Sequence, residues 1–358
     1  KYSRSAGCLD LVRAGPLRLA SDMGGKRHLP GLDGLRGVSI AMVLLGHLSF
    51  SAGSPRWAEP LAPIATLGVA IFFVLSGYLI TALVVQERAR NGQVWLRRFY
   101  LRRALRIVPA SYFYVGFVAL LERLRVLTLQ PHDIACALLY VMDYHHDRAW
   151  FLGHYWSLSV EEQFYLVWPP LLAALSVRSA AVAAMVLLVL AEVVPTLVFG
   201  LFPSWNRQVQ LPNGTAPLAI GCLLALSFDR LVAMRFWRSP AWTIALGFMA
   251  AIQVHLLNAN RRIHGVQLAI HLLVAVVILR SVDIRDDLLA KILESRVLVT
   301  LGALSYSLYI WQQLFLGTPG RHWWTIFPVN LLGALAAAVV SHVLIERSFL
   351  RLRERFVS

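Results

Sequence analysis

The sequence predicts an all-α, polytopic integral membrane protein, and three observations carry that expectation. Hydrophobic residues fill 58% of the 358 positions and charged residues only 15%, against roughly 25% charged in an average soluble domain. Apolar runs long enough to cross the ~30 Å hydrocarbon core as helices recur along the chain. Basic residues gather at alternate ends of those runs. An apolar excess of this size is more than a soluble domain of the same length buries, and it excludes disorder. The three cysteines, Cys8, Cys136 and Cys222, lie far apart without C-x-x-C spacing. That excludes a disulfide scaffold and speaks against metal ligation.

About ten spans are expected, at 35–52, 63–86, 104–121, 157–176, 179–200, 213–228, 240–257, 264–281, 297–316 and 325–346. A further apolar piece at 133–142 is too short to cross and reads as re-entrant or interfacial. Residues 1–28 form a mixed, polar segment without the apolar core of a cleavable signal peptide. With the N-terminus in the cytoplasm, roughly three quarters of the 34 Lys and Arg fall inside. The loop holding Arg88, Arg90, Arg97, Arg98, Arg102, Arg103 and Arg106 contributes most. Both termini are therefore expected in the cytoplasm, with residues 1–28 as a cytoplasmic segment and 29–355 as a single membrane domain. The net charge of +15 reports this topology rather than nucleic-acid binding.

Ionisable groups inside a membrane are expensive and usually face a cavity or a partner. The first span carries Arg36 at its cytoplasmic end and His47 eleven residues later. On a helix that is about three turns, ~16 Å along one face. An anchoring arginine and a histidine satisfied by a backbone carbonyl are the plain alternative. The segment Trp156-Ser157-Leu158-Ser159-Val160-Glu161-Glu162 places two carboxylates at the start of a span. They complement a helix N-terminus capped by Ser157 or Ser159, or one of them faces inward to orient a histidine or polarise a hydroxyl. His145, His146 and His154 share an outside loop with Asp143 and Asp147 but match no zinc spacing, so no metal is expected. The arginine cluster at 97–106 reads as a positive-inside signal facing anionic lipid, or as a phosphate clamp. Glu192, His271, His342 and Glu346 are further intramembrane polar residues that suit packed contacts.

Six blocks in order resemble the membrane acyltransferase-3 family. They are Leu32-Asp33-Gly34-Leu35-Arg36-Gly37 with His47 eleven residues beyond the arginine, and the second-span block from Gly68 through Ser76-Gly77-Tyr78 to Ile80. Arg102-Arg103-Ala104-Leu105-Arg106 follows, then His154-Tyr155-Trp156-Ser157-Leu158-Ser159-Val160-Glu161-Glu162-Gln163-Phe164-Tyr165. Ser305-Tyr306-Ser307-Leu308-Tyr309-Ile310-Trp311 and Ile345-Glu346-Arg347 complete the set. One departure is Gln312, where many members carry histidine. The chain shows no counterpart of the extracytoplasmic hydrolase-like domain fused to some polysaccharide O-acetylases.

The resemblance implies O-acylation, often acetylation, of a glycan or small hydroxylated product, in a bacterial cytoplasmic membrane. The donor would be cytoplasmic acyl-CoA, acetyl-CoA first among them, as a co-substrate with no bound cofactor. Oligomeric state is left open. On this reading His47 is general base or transient acyl carrier, and Glu161 and Arg36 act with it. Arg36, Arg102, Arg103 and Arg106 would hold the donor, with Ser76 and Tyr78 beside them. Asp33, Trp156, Ser157, Glu162, Tyr309, Gln312 and Glu346 would support the site or the acceptor. A proton-coupled transporter is the competing class, but the sequence shows no pseudo-symmetric halves.

Overall fold

A computed structural model describes residues 29–201, 211–259, 261, 263–284, 287–317 and 322–357. The N-terminal segment 1–28 lies outside the described residues. Among those described there are helices, turns and one isolated bridge between Ala52 and Ile326, and no strands. The helices are α1 Pro30–Leu48, α2 Ile64–Asn91, α3 Leu96–Arg123, α4 Asp133–Leu138, α5 Trp150–Gly153, α6 Tyr155–Ala174 and α7 Val177–Leu201. They continue with α8 Leu211–Met234, α9 Ala241–Asn258, α10 His264–Asp283, α11 Leu288–Leu293, α12 Arg296–Phe315 and α13 Val329–Ser341. A π-helical turn, His342–Glu346, joins α13 to α14 Arg347–Val357.

Each expected span falls on one long helix, and the short apolar piece at 133–142 begins with α4. Local signals set the ends. Pro30 occupies the first turn of α1, where its missing N–H costs nothing, and Asp33 complements the positive helix end. Gly92, at φ 72°, terminates α2 and donates its N–H to the Arg88 carbonyl. Asp287 caps α11 by accepting the Ala290 N–H at 2.8 Å. Arg280 also donates to Asp287, at 2.6 Å.

Among the described residues, eight helices are long and apolar enough to cross a membrane. Of the ten expected spans, α6 and α12 fall outside that set. Their sequences explain why: α6 carries Glu161, Glu162 and Gln163, and α12 carries Ser305, Ser307, Gln312 and Gln313. Both are enclosed by more apolar neighbours. α1 and α2 form the centre of the protein, whereas α7 and α9 lie at the edge with Val182, Val186, Ile244 and Phe248 exposed. Apolar side chains turned outward at this density suit a lipid solvent and not water. The chain is a multi-pass membrane protein.

Glycine sets the closest helix crossings. A Cβ on Gly34 or Gly37 of α1 would overlap the backbone at Leu293 or Leu298, and one on Gly302 of α12 would overlap the backbone at Asp33. Gly77 of α2 and Gly221 of α8 do the same for a second crossing, against Leu218 and Val74. Where lipid supplies no hydrophobic drive between helices, such small-residue contacts supply the packing. Gly302→Val is therefore expected to cost at least ~1–3 kcal/mol. It should abolish a monodisperse peak in detergent size-exclusion. Gly247→Ala, with open space around it, should leave the elution profile and melting temperature unchanged.

Candidate active site

Five helices converge on a narrow cleft with about 120 Å³ of interior space. α1 contributes Arg36, α2 Ser76, α3 Arg103 and Arg106, α6 Ser157, Glu161 and Tyr165, and α12 Ser305, Tyr306 and Tyr309. On α2 the lining runs from Val69 to Ile80, about 16 Å along the axis. The arginines stand at one end. At the other, Ser157 and Tyr309 hydrogen-bond to each other, and the hydroxyl that accepts in that pair donates to the His154 carbonyl, 3.1 Å from Ser157 and 3.3 Å from Tyr309.

The helical repeat decides which residues of each block face the cleft. Ser76 faces it and donates to Glu161 at 2.5 Å. Tyr78, two positions on, is turned about 200° away. It is fully buried against Phe228 in a core cluster with α8 and α10. Arg103 and Arg106, three apart, share the cleft face. Arg102 instead points outward and pairs with Glu87 at 3.7 Å. Arg103 lies over the Tyr165 ring at 3.1 Å and pairs with Glu162 at 3.5 Å. Arg36 pairs with Asp33 at 3.0 Å. Arg103 and Arg36 line the same cleft as Glu161, and each has its own carboxylate partner, Glu162 and Asp33. Trp156 packs on Phe73 beside the cleft, with ring centroids 5.9 Å apart.

His47 lies just beyond the far end of the cleft. The Gln312 amide oxygen accepts from His47 Nδ1 at 2.6 Å. Gln312 follows Tyr309 by three residues on α12, about 4.5 Å further along the same face. An amide oxygen only accepts, so the ring proton is on Nδ1 and Nε2 carries the lone pair. The Trp150 ring meets the imidazole edge-on at 5.2 Å. Sequence reasoning offered Glu161 as the group that orients His47. The structure gives that hydrogen bond to Gln312 and gives Glu161 to Ser76.

Gln313 escaped sequence reasoning. Its side-chain oxygen accepts from both the backbone N–H and Nδ1 of buried His154, at 2.9 and 2.8 Å. The tandem Gln312-Gln313 is the available signal: two adjacent amides in an apolar helix hold two histidines at the ends of different helices. Tyr165, which stacks on Arg103, carries no signal of its own beyond its place in a matching block. Glu346 lies apart from the cleft lining. It is buried in the π-helical turn and accepts from Ser307 at 3.0 Å and pairs with His342 at 2.8 Å. The loop histidines have different partners: His145 pairs with Asp133 at 3.0 Å, and His154 is held by Gln313. Among the described residues no three His, Cys, Asp or Glu side chains converge as metal ligands. In the same loop, burial raises the Asp143 carboxyl above its usual range, opposed by the Gln163 hydrogen bond and the charge of Arg148.

The sequence profile described as an acyltransferase domain, acyltransferase-3, matches residues 29–347. The chain belongs to the acyltransferase-3 family. Among curated relatives of the family, it is 31% identical over 327 residues to a putative peptidoglycan O-acetyltransferase of Bacillus subtilis, covering 82% of this chain and 50% of the relative. It is 26% identical over 353 residues to a peptidoglycan O-acetyltransferase of Listeria monocytogenes, covering 90% and 55%. It is 28% identical over 315 residues to a putative O-acetyltransferase of Staphylococcus aureus, covering 80% and 50%. The acyltransferase-3 chain thus spans about half the length of the curated relatives it matches. No solved structure matches it.

Removing Glu161 takes away the acceptor of the Ser76 hydroxyl and the carboxylate that lines the cleft with Arg36, Arg103 and Arg106. Glu161→Leu should lower the melting temperature of the detergent-solubilised protein, by the equivalent of ~1–3 kcal/mol. Glu161→Gln keeps an acceptor for Ser76 and should lose less.

Proposed function

We propose that this protein is a membrane O-acyltransferase that moves an acetyl group from cytoplasmic acetyl-CoA to a hydroxyl of a cell-wall glycan. In this reading the N-terminus and C-terminus lie in the cytoplasm, ten helices cross, and the membrane is the bacterial cytoplasmic membrane. The observation that carries the proposal is the alignment of cleft and histidine. Three arginines stand at one end of a narrow passage, and a histidine with a defined tautomer stands one helical turn past the other.

Each part has a chemical task. The nucleotide phosphates of the donor dock on the Arg36, Arg103 and Arg106 end, where guanidinium forks suit phosphate. Glu162 and Asp33 hold Arg103 and Arg36 in place. The pantetheine arm enters the cleft and carries the thioester toward Ser157, Tyr309 and His47. His47 Nε2 takes the proton of the acceptor hydroxyl as the oxygen attacks the thioester carbon. The C–S bond breaks, the ester C–O bond forms, and the His47 imidazolium hands its proton to the departing thiolate of CoA, which regenerates the base. The amide nitrogen of Gln312 is fully buried and has no hydrogen-bond partner among the described residues. It is available to the oxyanion that develops on the thioester carbonyl.

Purified protein in lipid, given acetyl-CoA and peptidoglycan fragments, should release free thiol in a glycan-dependent manner. His47→Ala should abolish that release without loss of membrane insertion; retained turnover would remove His47 from the mechanism. Gln312→Leu should lower kcat by about 10²-fold, the typical cost of one oxyanion donor. Replacing Arg103 and Arg106 together should raise the KM for acetyl-CoA more than that for the glycan. Equal changes in both would count against a donor clamp.

A further inference from the structure

The outer approach to His47 is lined by two aromatic rings that the transfer chemistry does not use. Trp150 is the first residue of α5 and is held from three sides. Its Nε1–H donates to the Leu316 carbonyl at 2.8 Å. Its ring fills the space above Gly317, which has φ 78° and where a Cβ would overlap the indole. The preceding residue, Ala149, donates its N–H to Asp133 at 3.1 Å, and the same fully buried carboxylate accepts from Gln130 at 2.8 Å. The loop is thus stapled so that the indole stands against His47. Phe50 follows His47 by three residues, just past the end of α1. Its ring lies 6.5 Å from Trp150 and is 56% exposed.

A fixed indole touching the histidine and an exposed phenyl ring beside it form a stepped apolar surface. A pyranose ring has the complementary shape: one face of C–H groups that packs on an aromatic plane, and a rim of hydroxyls. We propose that Phe50 and Trp150 are the acceptor subsite, on which one sugar ring of a β-1,4-linked N-acetylated glycan stacks and presents a hydroxyl to His47 Nε2. This rests on the acyl-transfer reading above and adds to it where the acceptor sits. Exposed aromatics also form interfacial belts in membrane proteins, and Trp57, 62% exposed, is an internal control for that role because it has no ring contact with Trp150 or His47.

The test uses the full chain in nanodiscs with saturating acetyl-CoA and a soluble, uncross-linked peptidoglycan tetrasaccharide as the probe. Phe50→Ala is expected to raise the acceptor KM about 3- to 10-fold, the scale of one lost ring contact. The KM for acetyl-CoA and kcat should stay within about twofold of wild type. Phe50→Trp should restore the acceptor KM, and Trp57→Ala should not change it. Trp150→Phe keeps a ring without the Leu316 hydrogen bond and should give an intermediate acceptor KM. An unchanged acceptor KM in Phe50→Ala, or an equal rise in Trp57→Ala, overturns the subsite while acyl transfer stands. If wild type shows no turnover, the transfer reading falls, and tetrasaccharide binding read from tryptophan fluorescence decides the subsite alone. Binding by wild type that is lost in Phe50→Ala supports it; equal binding in both, or none in wild type, overturns it.

Discussion

A carboxylate among membrane helices must be matched by positive charge or by hydrogen-bond donors, because no water is there to solvate it. Glu161 meets that requirement with the Ser76 hydroxyl of α2, and Arg103 of α3 and Arg36 of α1 line the same cleft. The cleft is the space left where α1, α2, α3 and α6 come together with α12. Arg103 is in turn held by Glu162 and by the face of Tyr165. The charges stand in a passage whose other walls are mostly phenylalanine, leucine, isoleucine and tyrosine, with Val69 and the hydroxyls of Ser76, Ser157 and Ser305.

Two amide–histidine pairs close the other end. Gln312 and Gln313, adjacent on α12, reach His47 at the end of α1 and His154 at the start of α6. α6 and α12, which line the cleft, carry these polar residues and fall outside the set apolar enough to cross by composition, while α7 and α9 keep apolar surface outward. The glycine crossings let α1 approach α12 closely enough for a short imidazole–amide bond to form. Packing and chemistry are linked there: a bulkier residue at Gly34, Gly37 or Gly302 would separate the helices that carry His47 and Gln312.

Much of this was legible in the sequence, and the rest has identifiable reasons for being hidden. Span positions follow from the length and period of apolar runs, which are local properties. The stripe from Arg36 to His47 was readable because both residues lie on one continuous helix. The pairing of Ser76 with Glu161 joins residues 85 positions apart and exists only once α2 packs on α6. Family blocks named the right segments but not the faces. Tyr78 shares a block with Ser76 and Arg102 a block with Arg103, yet the helical repeat turns Tyr78 into the core and Arg102 toward Glu87. Gln312 looked like a departure from the family pattern. In the folded chain its amide oxygen sets the tautomer of His47.

In the proposed reaction the acetyl group enters at the arginine end and leaves at the His47 end, on opposite faces of the membrane. Sealed proteoliposomes of defined orientation test this path, with labelled acetyl-CoA on one face only and peptidoglycan tetrasaccharide on the other. Labelled glycan is expected when the donor is on the face of Arg103 and Arg106 and the acceptor on the face of Phe50, and none when the two are exchanged. Labelled glycan formed only when donor and acceptor share one face would contradict it.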